Sequence, residues 1–166
     1  MADLNTHIFS WNGPFGLPQF DKIDHEDYRA AFEEALKLDR QQIDQIAGSS
    51  EAPTFENTII ALESAGGEVE APDQAGDELT RVSSLFWNLT GTMSDDILRE
   101  LERDIAPKLS RHMSQTAANK QLFARVDAIW KEKDKLDLTN EQHQVLKRRW
   151  KGYIRAGAAL DDRDQE

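Results

Sequence analysis

The chain has 166 residues, of which 31% are charged and 39% hydrophobic, with a formal net charge of −11 and no cysteine. That balance suits one domain-sized bundle of amphipathic helices, its acidity serving solubility. It excludes phosphate-backbone binding and adhesion to anionic membranes, so neither nucleic acid nor membrane is an expected partner. Without thiols there are no disulfides, no thiolate catalysis and no cysteine-ligated zinc, a composition compatible with the expected cytoplasmic location. The opening MADLNTHIFSWNGPFG lacks the basic start and apolar run of a secretory signal. No stretch reaches the roughly 18–20 apolar residues of a membrane span.

Residues 1–20 are punctuated by Gly13, Pro14, Gly16 and Pro18, which argues against a helix. Ile8, Phe9, Trp11, Phe15, Leu17 and Phe20 are too apolar for a free tail. This segment reads as an arm over 1–22 lying on a hydrophobic surface, or as a docking site for another domain. Asp24, with Asp27 three residues on, predicts a capped helix over 25–47 that buries Tyr28, Phe32, Leu36, Ile43 and Ile46 and stops at Gly48. Pro53 and Thr54 open a helix to about residue 65, with Phe55, Ile59 and Leu62 inward. Residues 66–77, GGEVEAPDQAGD, hold four acids, three glycines and a proline and read as an acidic loop.

Residues 78–113 predict a helical hairpin. Leu79, Val82, Leu85, Phe86 and Leu89 make one apolar stripe, and Ile97, Leu98, Leu101, Ile105 and Leu109 make its partner. Gly91 is expected to stop the first helix, Ser94 to cap the second, and Pro107 to kink or interrupt it near 104–106. A further helix over 119–133 carries Leu122, Phe123, Val126, Ile129 and Trp130, followed by the solvated connector KEKDKLDL. Thr139 and Gln142 form a capping box for a last helix with Val145, Leu146, Trp150, Tyr153 and Ile154 on its apolar face, ending near Leu160. Apolar residues keep helical spacing throughout, so the expected class is all-α: about six helices, a single domain of arm 1–22 and bundle 23–160.

The chemical groups give no catalytic constellation. A zinc peptidase helix needs two histidines four apart with a glutamate after the first. The nearest approach, His25-Glu26-Asp27-Tyr28-Arg29, puts a cation where the second ligand belongs. No histidine has a glutamate three residues before it, as a carboxylate di-metal bundle requires: Leu4, Lys22, Leu109 and Asn140 stand there. The acid pairs Asp95/Asp96, Glu100/Asp104 and Asp161/Asp162 lie among polar neighbours or at helix starts, where the helix dipole accounts for them. Ser83 and Ser84 sit mid-helix without a strained elbow, and Gly66-Gly67 lacks the lysine and helix start of a phosphate loop. Trp87, Trp130, Trp150 and Tyr153 suit core packing better than a ligand cage. Lys147, Arg148, Arg149 and Lys151 form the one basic cluster, a solvated face or a contact to a partner domain. No catalytic, cofactor-binding or metal-ligating residue is therefore assigned.

Several phrases in order carry a resemblance: LPQFDKIDHEDYRAAFEEAL, then APTFENTIIALESAG, then LTRVSSLFWNLTGTMSDDILRELERDIAPKLSRH, then LFARVDAIWKEKDKLDLTNEQHQVLKRRWKGYIRAGAAL. Together they resemble the N-terminal region of the thimet oligopeptidase-type zinc metallopeptidases. TRVSSLFWNLT with LFARVDAIW resembles the bacterial peptidyl-dipeptidase branch, the related oligopeptidase A branch being an alternative. The resemblance implies a parent hydrolase that releases C-terminal dipeptides from short peptides. Zinc, its histidines and the catalytic glutamate would belong to an H-E-x-x-H helix downstream, and this chain to the wall of a substrate channel. No residue here matches those catalytic positions, so the chain alone is expected to be inactive. Its expected partners are the downstream catalytic domain of the same polypeptide and short peptide substrates.

Two departures from the family stand out. Residues 67–77 add about ten residues between the second and third phrases, an insertion that surface loops accommodate at small entropic cost. The family also continues past its AGAAL-like phrase, whereas here DDRDQE follows, so the chain reads as part of a longer polypeptide. A free-standing helical interaction module is the alternative. A severed domain exposes the apolar surface its partner covered, expected near Phe15, Leu17, Trp150 and Ile154, which a dimer in a crystal could hide.

Overall fold

The structure is a computed structural model that describes residues 7–65, 78–93 and 95–159. The expectations placed on Ser94, on loop 66–77 and on Asp161/Asp162 lie outside those residues. The described residues form helices and turns without a strand, which makes the fold all-α. Six α-helices are described: α1 (Asp27–Gly48), α2 (Ala61–Ala65), α3 (Glu78–Thr92), α4 (Asp96–Ala117), α5 (Lys120–Glu132) and α6 (Asn140–Arg155). The chain falls into two compact units, one of Met1–Arg40 with Ser64–Ser110 and the other of Gln41–Glu63 with Arg111–Glu166. Helices α1 and α4 each contribute to both.

The first unit is built on an apolar core in which α1 supplies Tyr28, Ala31, Phe32 and Ala35, α3 supplies Val82, Leu85 and Phe86, and α4 supplies Leu98, Leu101 and Ile105. These are the stripes that the spacing predicts. Phe86 sits at the centre. Its ring meets Tyr28 at 5.4 Å, Phe32 edge-on at 5.3 Å and Trp87 edge-on at 5.1 Å. Such tilted and edge contacts suit the ring quadrupoles and add to the area each ring buries. Burial pushes the Tyr28 hydroxyl up to about 12, helped by the charge of Asp27, so this ring stays neutral.

Several local expectations are corrected. Gly91 does not stop α3, which continues to Thr92; the Thr92 hydroxyl donates to Asn88 O at 2.8 Å and ties down the last turn. The cap of α4 includes Asp95, whose carboxylate accepts from Leu98 N–H at 2.8 Å. With the helix entered at that register, Leu98, Leu101 and Ile105 face the core. Ile97 turns away and is 45% exposed. Pro107 sits inside α4 and does not end it. Proline removes one backbone bond, but Ile105 and Leu109 on either side of it pack on the core. At the start of α1, Asp27 accepts from Asp24 N–H at 3.0 Å, one half of the expected box.

The arm divides in two. Ile8 and Phe9 are buried in the first unit's core and Trp11 packs against it. Arg81 donates to Phe9 O and stacks its guanidinium 5.9 Å from the Trp11 ring. Beyond that root the arm makes short 3-10 turns at Pro14–Gly16 and Phe20–Lys22 and leaves Phe15, Leu17 and Phe20 in solvent. The expected apolar contact thus holds for the first half of the arm only.

In the second unit α5 packs along α6, and both meet a widened, π-helical turn at Phe55–Ile60 that leads into α2. The sequence predicts this stretch as plain α-helix. Thr54 and Asn57 form a full capping box at its start, and Ala61 N–H reaches back to Glu56 O, the long bond that defines the wide turn. Phe55, Ile59, Leu62, Leu122, Val126, Ile129, Leu146 and Tyr153 are buried. Asn119 caps α5 through Leu122 N–H at 3.0 Å, and the Thr139–Gln142 box caps α6 as expected.

Helix α6 ends at Arg155, short of the expected Leu160. Gly157, at φ +80°, donates to Ile154 O, while Ala158 N–H donates to Tyr153 O at 3.0 Å. This is a Schellman stop, which needs a left-handed residue that glycine supplies without a Cβ penalty. Among the described residues no helix is long and apolar enough to cross a membrane.

Truncating Phe86 to alanine empties the centre of the first core. The expected loss is about 3–5 kcal/mol, read as a lower denaturant midpoint in tryptophan fluorescence. An unchanged midpoint would contradict the central role given to this ring.

Candidate functional site

The sequence offers five kinds of candidate group, and the fold commits most of them to structural partners. His25 Nδ1 lies 3.1 Å from Asp95 Oδ2. The Leu98 N–H chiefly, together with the charge of His25, holds the Asp95 carboxyl below the usual carboxylate range, against a smaller upward push from burial. Asp96 is fully exposed and pairs with Arg99 at 2.9 Å. Asp104 does not act with Glu100. It accepts from Arg29, the residue standing where a second zinc histidine would be needed, and from Lys108 at 3.1 Å. Lys108 in turn reaches Glu33 at 3.5 Å.

Ser83 and Ser84 lie within α3. Of the histidines, His112 is buried in α4, while His7, His25 and His143 are half-buried. Among the described residues no three histidine, aspartate or glutamate side chains gather as a metal site would require.

The aromatic candidates do form a cluster. Trp130 and Trp150 stack at 4.9 Å with an interplanar angle of 15°. Trp150 Nε1 donates to Asp127 at 2.9 Å, Lys131 pairs with the same carboxylate at 2.7 Å, and Lys133 lies 4.8 Å over the Trp130 ring. Burial pushes the Asp127 carboxyl up, but the bonds from Lys131 and Trp150 and the Lys131 charge outweigh it, so the net direction is down. Trp150 is thus half-buried and engaged, which corrects its expected place in an exposed patch; Ile154 is exposed as expected. Tyr153 packs 6.2 Å from Phe123, and burial raises its hydroxyl to about 12 despite Arg149.

The basic cluster of α6 splits. Arg149 Nε donates to Glu63, and Arg148 Nη2 donates to the same carboxylate at 3.2 Å. Glu63 is only 4% exposed, so these guanidiniums compensate a buried charge. Lys147 and Lys151 remain exposed. The solvated reading holds for the lysines and is corrected for Arg149, which is drawn inward because a carboxylate cannot be buried alone.

Sequence reasoning missed Arg125, which is 6% exposed on α5. Its Nη1 donates to Ser49 O and to Glu51 O, each at 3.0 Å, its Nη2 to Asn57 Oδ1 at 3.1 Å, and its Nε to Thr58 Oγ1 at 3.3 Å. Asn57 also donates to Ala52 O at 3.0 Å. One guanidinium thus ties the irregular stretch 49–54 to the start of the π-helical turn. The signal was present: Leu122, Arg125, Val126 and Ile129 share one helical face, so Arg125 stands where an apolar residue belongs.

No family model matches the chain. It is 33% identical over 165 residues, 99% of its length, to the dipeptidyl carboxypeptidase of Escherichia coli strain K12, covering 23% of that protein. It is 33% identical over 152 residues, 92% of its length, to the dipeptidyl carboxypeptidase of Salmonella typhimurium strain LT2, covering 21% of it. The resemblance to the peptidyl-dipeptidase branch is borne out: nearly the whole chain is similar to a segment of these peptidases. The chain spans between a fifth and a quarter of their length.

Two outcomes follow for the polar groups. Arg125→Ala leaves the acceptors on residues 49–58 without their buried donor and should cost about 3 kcal/mol, with Arg125→Lys recovering only part because an ammonium cannot span the same four acceptors; thermal and urea unfolding measure both. Asp95 titrates lower in the folded chain than in the unfolded one. Its contribution to stability is therefore present above about pH 4 and lost as pH falls through its folded value. Acid unfolding of Asp95→Asn should differ from the parent chain above that range and converge with it below; a difference independent of pH would refute the assignment.

Proposed function

We propose that this chain is a scaffold segment of a zinc-dependent peptidyl-dipeptidase, an enzyme that releases dipeptides from the C-terminus of short peptides. In this reading the helices form one wall of the channel that admits the substrate. The zinc ion, its ligands and the glutamate that activates water belong to a later part of the polypeptide, and the enzyme works in the cytoplasm. What zinc supplies there is a polarised carbonyl and an activated water. What this chain supplies is a rigid surface: buried aromatic and aliphatic cores, and carboxylates already committed to cations or helix starts.

The observation that carries this reading is identity of 33% along 99% of the chain to a dipeptidyl carboxypeptidase more than four times as long. The polar groups support it, because Arg125, Glu63, Asp104 and Asp95 all brace backbone or helices. Scaffolding is what such bracing serves.

The 166-residue chain, purified and supplied with zinc and a short blocked peptide, should release no dipeptide. The gene read past Glu166 should continue in frame to an H-E-x-x-H sequence. Dipeptide release by the chain alone would sink the scaffold role, and a frame that closes at once would sink the assignment to a longer peptidase.

A further inference from the structure

Among the described residues the most exposed large apolar side chain is Phe15, at 100% of its accessible surface, with Leu17 at 52% and Phe20 at 55% close by in sequence. This is not a frayed end. The loop closes on itself through Gly13 N–H to Leu17 O at 2.9 Å, Gly16 N–H to Gly13 O at 3.1 Å and Leu17 N–H to Pro14 O at 3.2 Å. Gln19 Nε2 donates to Asn12 Oδ1 at 2.9 Å across its base. A Cβ on Gly13 would lie 2.5 Å from Leu17 O, so only glycine permits that closure. Immediately before the loop, Ile8 and Phe9 are buried in the core.

Phe15 itself has φ +62° and is, among the described residues, the one non-glycine residue with positive φ. A bulky side chain in the left-handed region is strained. Strain, closure and root together hold an aromatic ring out in water, where by itself it gains nothing. In interfaces, buried aromatic anchors carry much of the binding energy, and an anchor held rigid in advance loses little freedom on binding.

Which partner fits is settled by size and charge. Three side chains offer far less than the roughly 800 Å² per partner of a stable dimer, so a second copy is not held by this loop alone. A chain of net charge −11 is repelled by an anionic membrane. The relatives have more than three-quarters of their length outside the matched segment.

From these observations we infer that the loop of residues 12–19 is a preformed plug, with Phe15 as the anchor that seats in an apolar pocket of the remaining part of the same polypeptide. The inference rests on the reading of this chain as a segment of a longer peptidase. It adds to that reading the specific contact that fastens the segment to the rest.

The chain has no cysteine of its own, so Leu17→Cys places one reporter thiol beside the anchor while leaving Phe15 intact. Maleimide labelling at residue 17, followed by peptide mass spectrometry, is compared in the 166-residue chain and in the full-length polypeptide. Labelling should be at least about tenfold slower in the full-length protein, and adding Phe15→Ser should restore the faster rate. Phe20→Cys serves as a second reporter if the first variant fails a circular dichroism check of its helices. Equal labelling in a full-length protein that still releases dipeptides overturns the plug and leaves the peptidase reading standing. Slow labelling that Phe15→Ser does not change overturns the anchor. A reading frame that ends at Glu166 overturns both.

Discussion

A guanidinium cannot shed its proton at any pH the fold survives, so burying one obliges the chain to bring acceptors to it. In the second unit that obligation falls on residues 49–58. Residues 49–54 among them have no ladder of their own, and their carbonyls need donors. Arg125 meets both demands at once through Ser49 O, Glu51 O, Asn57 and Thr58. The widened turn at Phe55–Ile60 places Asn57 and Thr58 on the guanidinium while Phe55 and Ile59 stay buried. Glu63 states the same constraint with the opposite sign, drawing in Arg149 and Arg148 from α6.

The first unit is stabilised differently. Its centre is apolar and aromatic around Phe86, and its charges lie at the rim. The Arg29–Asp104–Lys108–Glu33 chain of ion pairs links α1 to α4 with side chains between 32% and 63% exposed. Solvent screens such pairs, so they favour one register of the two helices more than they add stability. The arm follows the same division: its root is held by the core, and its tip is held only by its own backbone.

These two solutions explain why an acidic chain with many carboxylates presents so little reactive chemistry among its described residues. An acid or base poised for proton transfer needs a pKa moved toward neutrality by burial or by a like charge. Asp95 and Asp127 are moved the other way, by a helix N–H in one case and by lysine and indole donors in the other. Such carboxylates fasten helices.

The sequence by itself determined the helices and most of their buried faces, because apolar spacing of three and four, the helix start at Thr54 and the box at Thr139–Gln142 are local signals. Through the order of its phrases it also carried the kinship with peptidyl-dipeptidases. It misjudged the helix ends at Gly91 and Leu160, where the cap depends on which residue can take a left-handed turn or reach a free carbonyl. It placed Ile97 inside, which the register of α4 reversed, and it set Trp150 both on an apolar face and near an exposed patch, which the stack on Trp130 decided in favour of the first. Only the tertiary structure decided the roles of Arg125 and Glu63 and the division of the arm at Trp11. A buried charge is identified by the partners that surround it, and those partners come from parts of the chain 67 to 86 residues away.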